Sequence, residues 1–171
     1  MSFKLSELQD IAKKNSREYF NGERRMACLF ATLYGVNDAL ANADDVEYIL
    51  PEVIKASNGI LGGLWSSYGP CGIVVAGGMA ISMKYGTIDP YEGMTVLETG
   101  LKARDFYYWF RDEFDSCDCF DLSHVNDWGD AEIREQYNAE RKSFCTDIMG
   151  KTARKLVDIL TVGNPNVVRD V

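Results

Sequence analysis

One long stretch of the chain, residues 56–83, carries no charged side chain. Pro70 and a series of glycines interrupt its first part, whereas Ile73 to Met83 is continuously apolar or small. That second part is much shorter than the roughly 20 residues that a helix needs to cross a bilayer. Its length and composition are typical of a helix buried in a protein core. The stretch therefore predicts a Gly-rich loop followed by a buried central helix.

Helices are also predicted on both sides of this segment, because apolar residues recur there with helical spacing. Met26, Leu29, Phe30 and Leu33, for example, share one helical face. Start and stop signals place the first three of these helices at 6–21, from near Glu23 to Gly35, and from Asp44 or Asp45 to Ile49. The later ones are predicted at 92–114, 128–149 and 151–160. The last two ranges are either separate helices or one helix kinked at Gly150.

The pattern as a whole indicates an all-α protein. No segment alternates as hairpin strands do, and no internal repeat is present. We expect a single domain over residues 1–171, built as a bundle of about five to seven helices. The Gly-rich loop should precede the central helix, with Pro70 in the first turn and Cys71 at the amino end.

The charge of the chain excludes two classes of partner. The 171 residues include 18 Lys and Arg against 26 Asp and Glu, so the formal net charge is −8. This sign is unfavourable for binding a phosphate backbone or an anionic membrane surface. We expect no nucleic acid and no membrane insertion. Residues 1–16 carry frequent charges and no apolar run of signal-peptide length, so we expect a cytoplasmic protein.

Cysteine is unusually frequent and histidine is rare. In a reducing compartment five cysteines indicate metal ligands or redox thiols more than disulfides, although each alone could be a small buried apolar residue. The thiols are Cys28, Cys71, Cys117, Cys119 and Cys145, and the one histidine is His124. At a helix amino terminus Cys71 has backbone N–H groups available to stabilise its thiolate. The carboxylates near Cys117 and Cys119 should raise the pKa of both thiols, which favours metal binding over thiol exchange.

The cysteine segments resemble a redox-active family named after its C, GCAxxG, C, C pattern. The resemblance covers roughly residues 24–160 and is carried by GGL at 62–64, GPCGIVVAG at 69–77 and MKYG at 83–86. Cys28 is similar to the first cysteine of the family, Cys119 to the third and Cys145 to the fourth. Cys117 is additional to the pattern. Ile73 and Ala76 stand where the family has Ala and Gly.

The resemblance implies an all-helical redox protein, related to the cluster-bearing part of split-Soret cytochromes. It implies that four thiols bind an iron–sulfur cluster, with a 2Fe–2S centre favoured: Cys28, Cys71, Cys119 and Cys145. Cys117 is a candidate substitute for Cys119. The same thiolates would also accept tetrahedral zinc, and a dithiol protein without a cofactor is a further alternative.

Function stays open between two classes at this point. No acid–base pair or substrate pocket can be named from the sequence, so whether the protein is an enzyme is undecided. The favoured function is electron transfer or redox sensing with a redox partner protein. A cluster beside so many carboxylates should have a potential in the low half of the roughly −700 to +450 mV range. The second class is a helical interaction module with structural zinc. The aromatic residues at 106–110 cannot all face one core, so partial exposure or a homodimer surface is expected.

Overall fold

The central helix is the element against which much of the core packs. A computed structural model describes residues 2–23, 25–44 and 51–170. In these ranges the chain forms eight right-handed helices: α1 (Leu5–Asn21), α2 (Cys28–Asp44), α3 (Pro51–Ser57), α4 (Gly72–Tyr85), α5 (Gly93–Phe114), α6 (Cys119–Ser123), α7 (Ala131–Glu140) and α8 (Lys142–Leu160). The all-α fold class expected from the sequence is confirmed.

Helix α4 is buried because its side chains are apolar or small on nearly every face. Ile73, Ala76 and Ile81 are at most 1% exposed. Helices α2, α5 and α8 pack against it, and α1 packs against α2 and α8. Gly77 gives α5 close access, since a Cβ there would lie 2.2 Å from the ring of Phe106. The prediction of a buried central helix is therefore confirmed.

Two predicted helix starts are confirmed: Cys71 is the N-cap of α4, and Glu92 is the N-cap of α5. Pro70, expected in the first turn of α4, instead precedes the N-cap and lies in a bridge with Asp118. Helix α3 begins at Pro51. Proline suits the start of a helix because its missing N–H would have no intrahelical partner there. The helix predicted from Asp44 or Asp45 to Ile49 lies outside the described residues, apart from Asp44, which ends α2.

The helix end predicted at Gly35 is wrong, and at Gly150 the alternative without a break is the correct one. Helix α2 continues through Gly35, because a Cβ there would lie 2.6 Å from the backbone nitrogen of Ser16 and the glycine instead lets α1 approach. Helix α8 likewise continues through Gly150, where a Cβ would lie 2.8 Å from Nε of Arg17. The break between α7 and α8 falls at Arg141. These glycines are needed at helix contacts and terminate nothing.

The loop predicted between α3 and α4 contains two turns. Asn58–Ile60 forms a 3-10 turn, and Leu61–Ser66 forms a turn of left-handed backbone. Near the chain ends, β1 (Phe3–Lys4) pairs in parallel with β2 (Val167–Val168). A bilayer crossing requires more length and hydropathy than any helix in the described ranges offers.

Adding one methyl group at neighbouring positions of α4 should have opposite effects. Gly77→Ala should destabilise the protein by about 1 to 3 kcal/mol, because the new Cβ overlaps Phe106. Gly78→Ala should stabilise it by up to about 1 kcal/mol, since no atom lies within 4 Å of its Cβ position and alanine favours helix. Urea denaturation of both variants measures the difference. Equal stabilities would contradict the described packing of α4 against α5.

Candidate thiol site

Two cysteine-bearing segments are held together by an isolated antiparallel bridge between Pro70 and Asp118. The backbone N–H of Cys71 donates to the carbonyl of Cys117 at 2.7 Å. The N–H of Cys119 donates to the carbonyl of Gly69 at 3.0 Å. Backbone hydrogen bonds of this kind fix the relative position of two segments without any contribution from side chains. The start of α4 and the start of α6 are therefore neighbours.

A third cysteine reaches the same place through the start of α2. Cys28 is the first residue of α2, and a Cβ at Gly72 would lie 3.1 Å from its Sγ and 3.3 Å from Cβ of Leu29. This space is too tight for most side chains. Glycine after Cys71 thus lets the amino ends of α2 and α4 meet.

The left-handed turn at 61–66 brings Gly63 against Cys119. Gly63 has a φ of +69°, and a Cβ there would lie 2.7 Å from Cβ of Cys119. The carbonyl of Gly63 also accepts a hydrogen bond from the N–H of Gly69 at 3.2 Å. The Gly-rich loop is therefore folded directly over Cys119.

The same turn is strained, because three residues that carry side chains share its left-handed backbone. Leu64, Trp65 and Ser66 have φ values of 56°, 55° and 69°. Left-handed backbone costs roughly 1–2 kcal/mol for each residue other than glycine. The turn is fastened by a hydrogen bond from the backbone N–H of Trp128 to Oγ of Ser66 at 2.9 Å. Strain of this kind persists where the surrounding structure over-determines the backbone.

Cys145 enters the site from the first turn of α8. It is 7% exposed and belongs to a small apolar cluster with Val125 and Tyr137, against which Trp128 packs. A hydrogen bond with the hydroxyl of Tyr137 lowers the pKa of the Cys145 thiol, but burial has the larger effect and raises this pKa to about 11. The thiol is therefore neutral at physiological pH.

Burial raises the pKa of each of the four thiols, and the charges of other thiols add to this effect at three of them. Burial raises the pKa of Cys28 to about 12, and the charges of Cys119 and Cys145 raise it further. Burial also raises the pKa of Cys71, with added contributions from Cys28, Cys119 and Cys145. Such repulsion is appreciable between charges at short range in water-excluded surroundings. These effects agree with the backbone bridge and the contact at Gly72, which bring the cysteine segments near one another.

Two expectations about thiol ionisation are wrong because burial dominates. The N–H of Ile73 at the start of α4 does lower the pKa of Cys71, but burial raises it by more. The pKa of Cys119 is raised by burial, whereas the hydroxyl of Ser123 and the nearby indole N–H of Trp128 lower it. Of the two thiols Cys117 and Cys119, carboxylates raise the pKa of Cys117 alone, and there their effect adds to that of burial.

Cys117 is directed away from the other four thiols. Its Sγ lies 3.9 Å from the backbone carbonyl of Tyr107 in α5. After burial, its pKa is affected by Tyr107 and by the exposed charges of Asp118, Arg111 and Asp112. Its backbone carbonyl nevertheless supports the site by accepting from Cys71. His124 is exposed and ends α6 with a φ of 59°.

A cavity of about 380 Å³ opens beside Cys28. Its walls are almost wholly apolar and include the aromatic residues Phe20, Trp65, Trp128 and Tyr137. Cys28 is half-buried because it lines this space, whereas Cys71, Cys119 and Cys145 are 5–7% exposed. Volumes of this order are typical of small-molecule sites. On the side of this cavity, the thiol region is bounded by aromatic side chains rather than by backbone.

The donor set suits a soft metal in its chemistry. Four thiols are the usual ligands of iron–sulfur clusters and are also accepted by zinc. In the arrangement described, however, no group of three or more Cys, His, Asp or Glu side chains among residues 2–23, 25–44 and 51–170 is positioned to hold an ion. Ligation therefore requires that the sulfur atoms turn toward a common centre.

Two aromatic residues of the site could not be identified from the sequence. Tyr137 and Trp128 lie with ring centroids 5.1 Å apart in an edge-to-face contact. Nε1 of Trp128 is buried and has no hydrogen-bond partner in the described part of the chain, yet it lies near enough to lower the pKa of Cys119. The Cβ position of Gly62 is 2.5 Å from this nitrogen. Neither residue belongs to a local motif, so sequence spacing carried no signal for them.

Comparison with known proteins identifies one family. The sequence model of the C_GCAxxG_C_C family, described as a putative redox-active protein, matches residues 26–159, well over half of the chain. No curated protein and no solved structure matches the chain significantly.

We expect the metal-free protein to become less stable as the pH rises from about 8 to about 10. The ordinary pKa of a thiol, 9.0, is raised to about 11 for folded Cys145, so deprotonation favours the unfolded chain. The stability from this group is complete below the unfolded pKa and is lost as the pH rises toward the folded pKa. One such thiol accounts for about 1 kcal/mol over this range.

Urea midpoints measured across this pH range check the expectation, with Cys145→Ala as the comparison. This variant lacks the ionising group, so its stability should decline less steeply with pH. A decline of the same steepness in both proteins would show that the thiol is not buried in its neutral form.

Proposed function

Because the chain belongs to the C_GCAxxG_C_C family of putative redox-active proteins, we propose that it is a redox protein whose thiols bind an iron–sulfur cluster. The proposed ligands are Cys28, Cys71, Cys119 and Cys145, and the proposed activity is electron transfer or redox sensing. The observation that carries the proposal is the close approach of the cysteine segments: the backbone bridge holds Cys71 beside the start of α6, and Sγ of Cys28 lies 3.1 Å from the Cβ position of Gly72. A 2Fe–2S cluster is the first form to test.

The elevated pKa values determine how these residues must act. At neutral pH the buried thiols carry their protons, so ligation must release a proton from each sulfur. A bound cation would then offset the repulsion between thiolates that makes their joint ionisation unfavourable in the free protein. When bound, the cluster would supply one-electron chemistry. The surroundings exclude water from Cys71, Cys119 and Cys145, whereas Cys28 lines the apolar cavity.

Two donors are available to tune the ligands. Tyr137 forms a hydrogen bond with Cys145, and the buried N–H of Trp128 lies near Cys119. Hydrogen bonds to cluster sulfur atoms raise a reduction potential because they stabilise the added negative charge. Of the carboxylates expected to lower the potential, Asp118 and Asp112 act on Cys117, whose pKa they raise.

Structural zinc is the second candidate, because four cysteine thiols, three of them buried and one half-buried, are a donor set typical of structural zinc sites. Thiol–disulfide exchange is less favoured. With the pKa of Cys28 near 12, the thiolate that attacks a disulfide is scarce at neutral pH.

Serine substitutions should separate the ligands from the fifth cysteine. Cys28→Ser, Cys71→Ser, Cys119→Ser and Cys145→Ser should each lose most of the bound cofactor, because a hydroxyl is a poor ligand for soft iron. Cys117→Ser is the matched control and should retain it, since its sulfur faces Tyr107. Iron and sulfide content and visible absorption are measured after anaerobic reconstitution.

Each alternative leaves a different result in this experiment. Stoichiometric zinc in a colourless protein would support the structural site. Cofactor loss in Cys117→Ser with retention in Cys119→Ser would mean that the third ligand is displaced by two residues.

Removing either donor should lower the reduction potential of the reconstituted protein. Tyr137→Phe deletes the hydroxyl that bonds to Cys145, and Trp128→Phe deletes the N–H near Cys119, so the reduced state loses stabilisation. Electrochemistry measures the shift. Tyr107→Phe is the control, because Tyr107 contacts Cys117, and its potential should equal that of the wild type. A shift as large in the control would contradict the assignment.

A further inference from the structure

The left-handed turn and the two residues after it, which together we call the 61–68 segment, cover the thiol site from one side. Gly63 lies directly against Cys119, because a Cβ at Gly63 would be 2.7 Å from Cβ of Cys119. Cys119 is only 6% exposed. The segment also forms one wall of the apolar cavity, through Leu61, Gly62 and Trp65. On this side the 61–68 segment therefore lies between Cys119 and the solvent.

The large side chains of the segment lie mostly in solvent. Leu64, Trp65 and Tyr68 are 48%, 66% and 57% exposed. Burial of apolar surface is the dominant force that holds one segment against another, and segments with few buried apolar contacts open at a low free energy. Outward movement of the 61–68 segment would therefore give up little of the burial that stabilises the fold.

The backbone of the segment also favours outward movement. Leu64, Trp65, Ser66 and Tyr68 have φ values between 55° and 69°. Residues other than glycine adopt this left-handed region at a cost, so each would relax to ordinary backbone if the segment left its place. Such strain persists only while contacts from outside hold the backbone.

The contacts that hold the segment in place are few. The backbone N–H of Trp128 donates to Oγ of Ser66 at 2.9 Å, and the Cβ position of Gly62 lies 2.5 Å from Nε1 of the same tryptophan. The rings of Tyr68 and Phe120 meet edge to face with centroids 5.0 Å apart, at a place where both are exposed. The hydrogen bond to Ser66 is thus the directional contact that fastens the strained turn.

The two ends of the segment are fixed independently of its middle. It follows the 3-10 turn at Asn58–Ile60, and it precedes the bridge in which the N–H of Cys119 donates to the carbonyl of Gly69. The other hydrogen bond of this bridge joins Cys71 to Cys117. Because both bonds are made by residues outside 61–68, the segment can swing outward while the cysteine segments stay joined.

We propose that the 61–68 segment is a lid on the thiol site, which is fastened at Ser66 and opens to expose Cys119. While the lid is closed, no group of three or more Cys, His, Asp or Glu side chains in the described ranges is positioned to hold an ion. Opening removes the contact between Gly63 and Cys119, so this thiol becomes free to turn toward the others. The lid is a property of the metal-free protein and is independent of whether iron or zinc binds.

Alkylation of the metal-free full chain tests the fastening. The protein is treated with iodoacetamide under native conditions at one fixed pH, and the initial rate at each cysteine is measured by peptide mass spectrometry. Ser66→Ala should raise the rate at Cys119 about three- to tenfold, because the lid loses its hydrogen bond to Trp128. Ser67→Ala is the matched control and should react as the wild type does, since Trp128 bonds to Ser66.

A second pair of variants tests the strain. Leu64→Gly and Leu64→Ala both remove the same side chain, but only glycine adopts the left-handed backbone without cost. The closed lid is therefore more stable in the glycine variant, and Cys119 should be alkylated about three- to tenfold more slowly there than in the alanine variant.

Cys117 serves as the internal standard in every variant. Its Sγ lies 3.9 Å from the carbonyl of Tyr107, outside the lid, so its alkylation rate should stay constant. Rates that rise equally at Cys117 and Cys119 in Ser66→Ala would mean that the whole fold opens, and would overturn the lid. Equal rates at Cys119 in the two Leu64 variants, or in Ser66→Ala and the wild type, would overturn it as well.

Discussion

The backbone bridge between Pro70 and Asp118 is the constraint on which the thiol site depends. It joins the start of α4, the central helix, to the segment that leads into α6. Its hydrogen bonds are made by main-chain atoms. They therefore require that the two segments run antiparallel, but they require no particular side chain. Without this bridge, Cys71 would still begin a buried helix, but Cys119 would have no reason to lie beside it.

The backbone segments around this bridge approach closely because glycine, which has no side chain, stands at the contact points. Gly72 lets the start of α2 reach α4, and Gly63 lets the left-handed turn cover Cys119. The resulting enclosure is what makes the thiols difficult to ionise, since burial is the largest cause of each raised pKa. A site of this kind is poorly suited to nucleophilic attack and better suited to a positively charged occupant that compensates several thiolates at once. The strained turn and the glycine contacts therefore both contribute to this enclosure.

Local signals predicted much of the helical framework. A cysteine just after a proline at the start of an apolar run has consequences confined to a few residues, so the amino end of α4 at Cys71 could be assigned correctly. Pro70 itself lies before the helix, because it takes part in the bridge with Asp118. Glycine was ambiguous. At Gly35 and Gly150 the same residue that can end a helix instead admits a neighbouring helix, and the difference depends on atoms of α1 that are far away in sequence. The left-handed turn at 61–66 was not predicted, because its backbone is imposed by contacts with Trp128 and Cys119.

The sequence by itself determined the all-α class, the buried central helix and the set of cysteines, because hydrophobic period, helix caps and residue type are properties of short segments. Tertiary structure decided which thiols share a region. Cys117 and Cys119 are two residues apart, yet one faces Tyr107 and the other lies among the remaining three thiols. It also decided the sign of the pKa shifts at Cys71, where burial outweighs the helix terminus. Desolvation depends on every atom packed around a group, and segments distant in sequence supply most of those atoms.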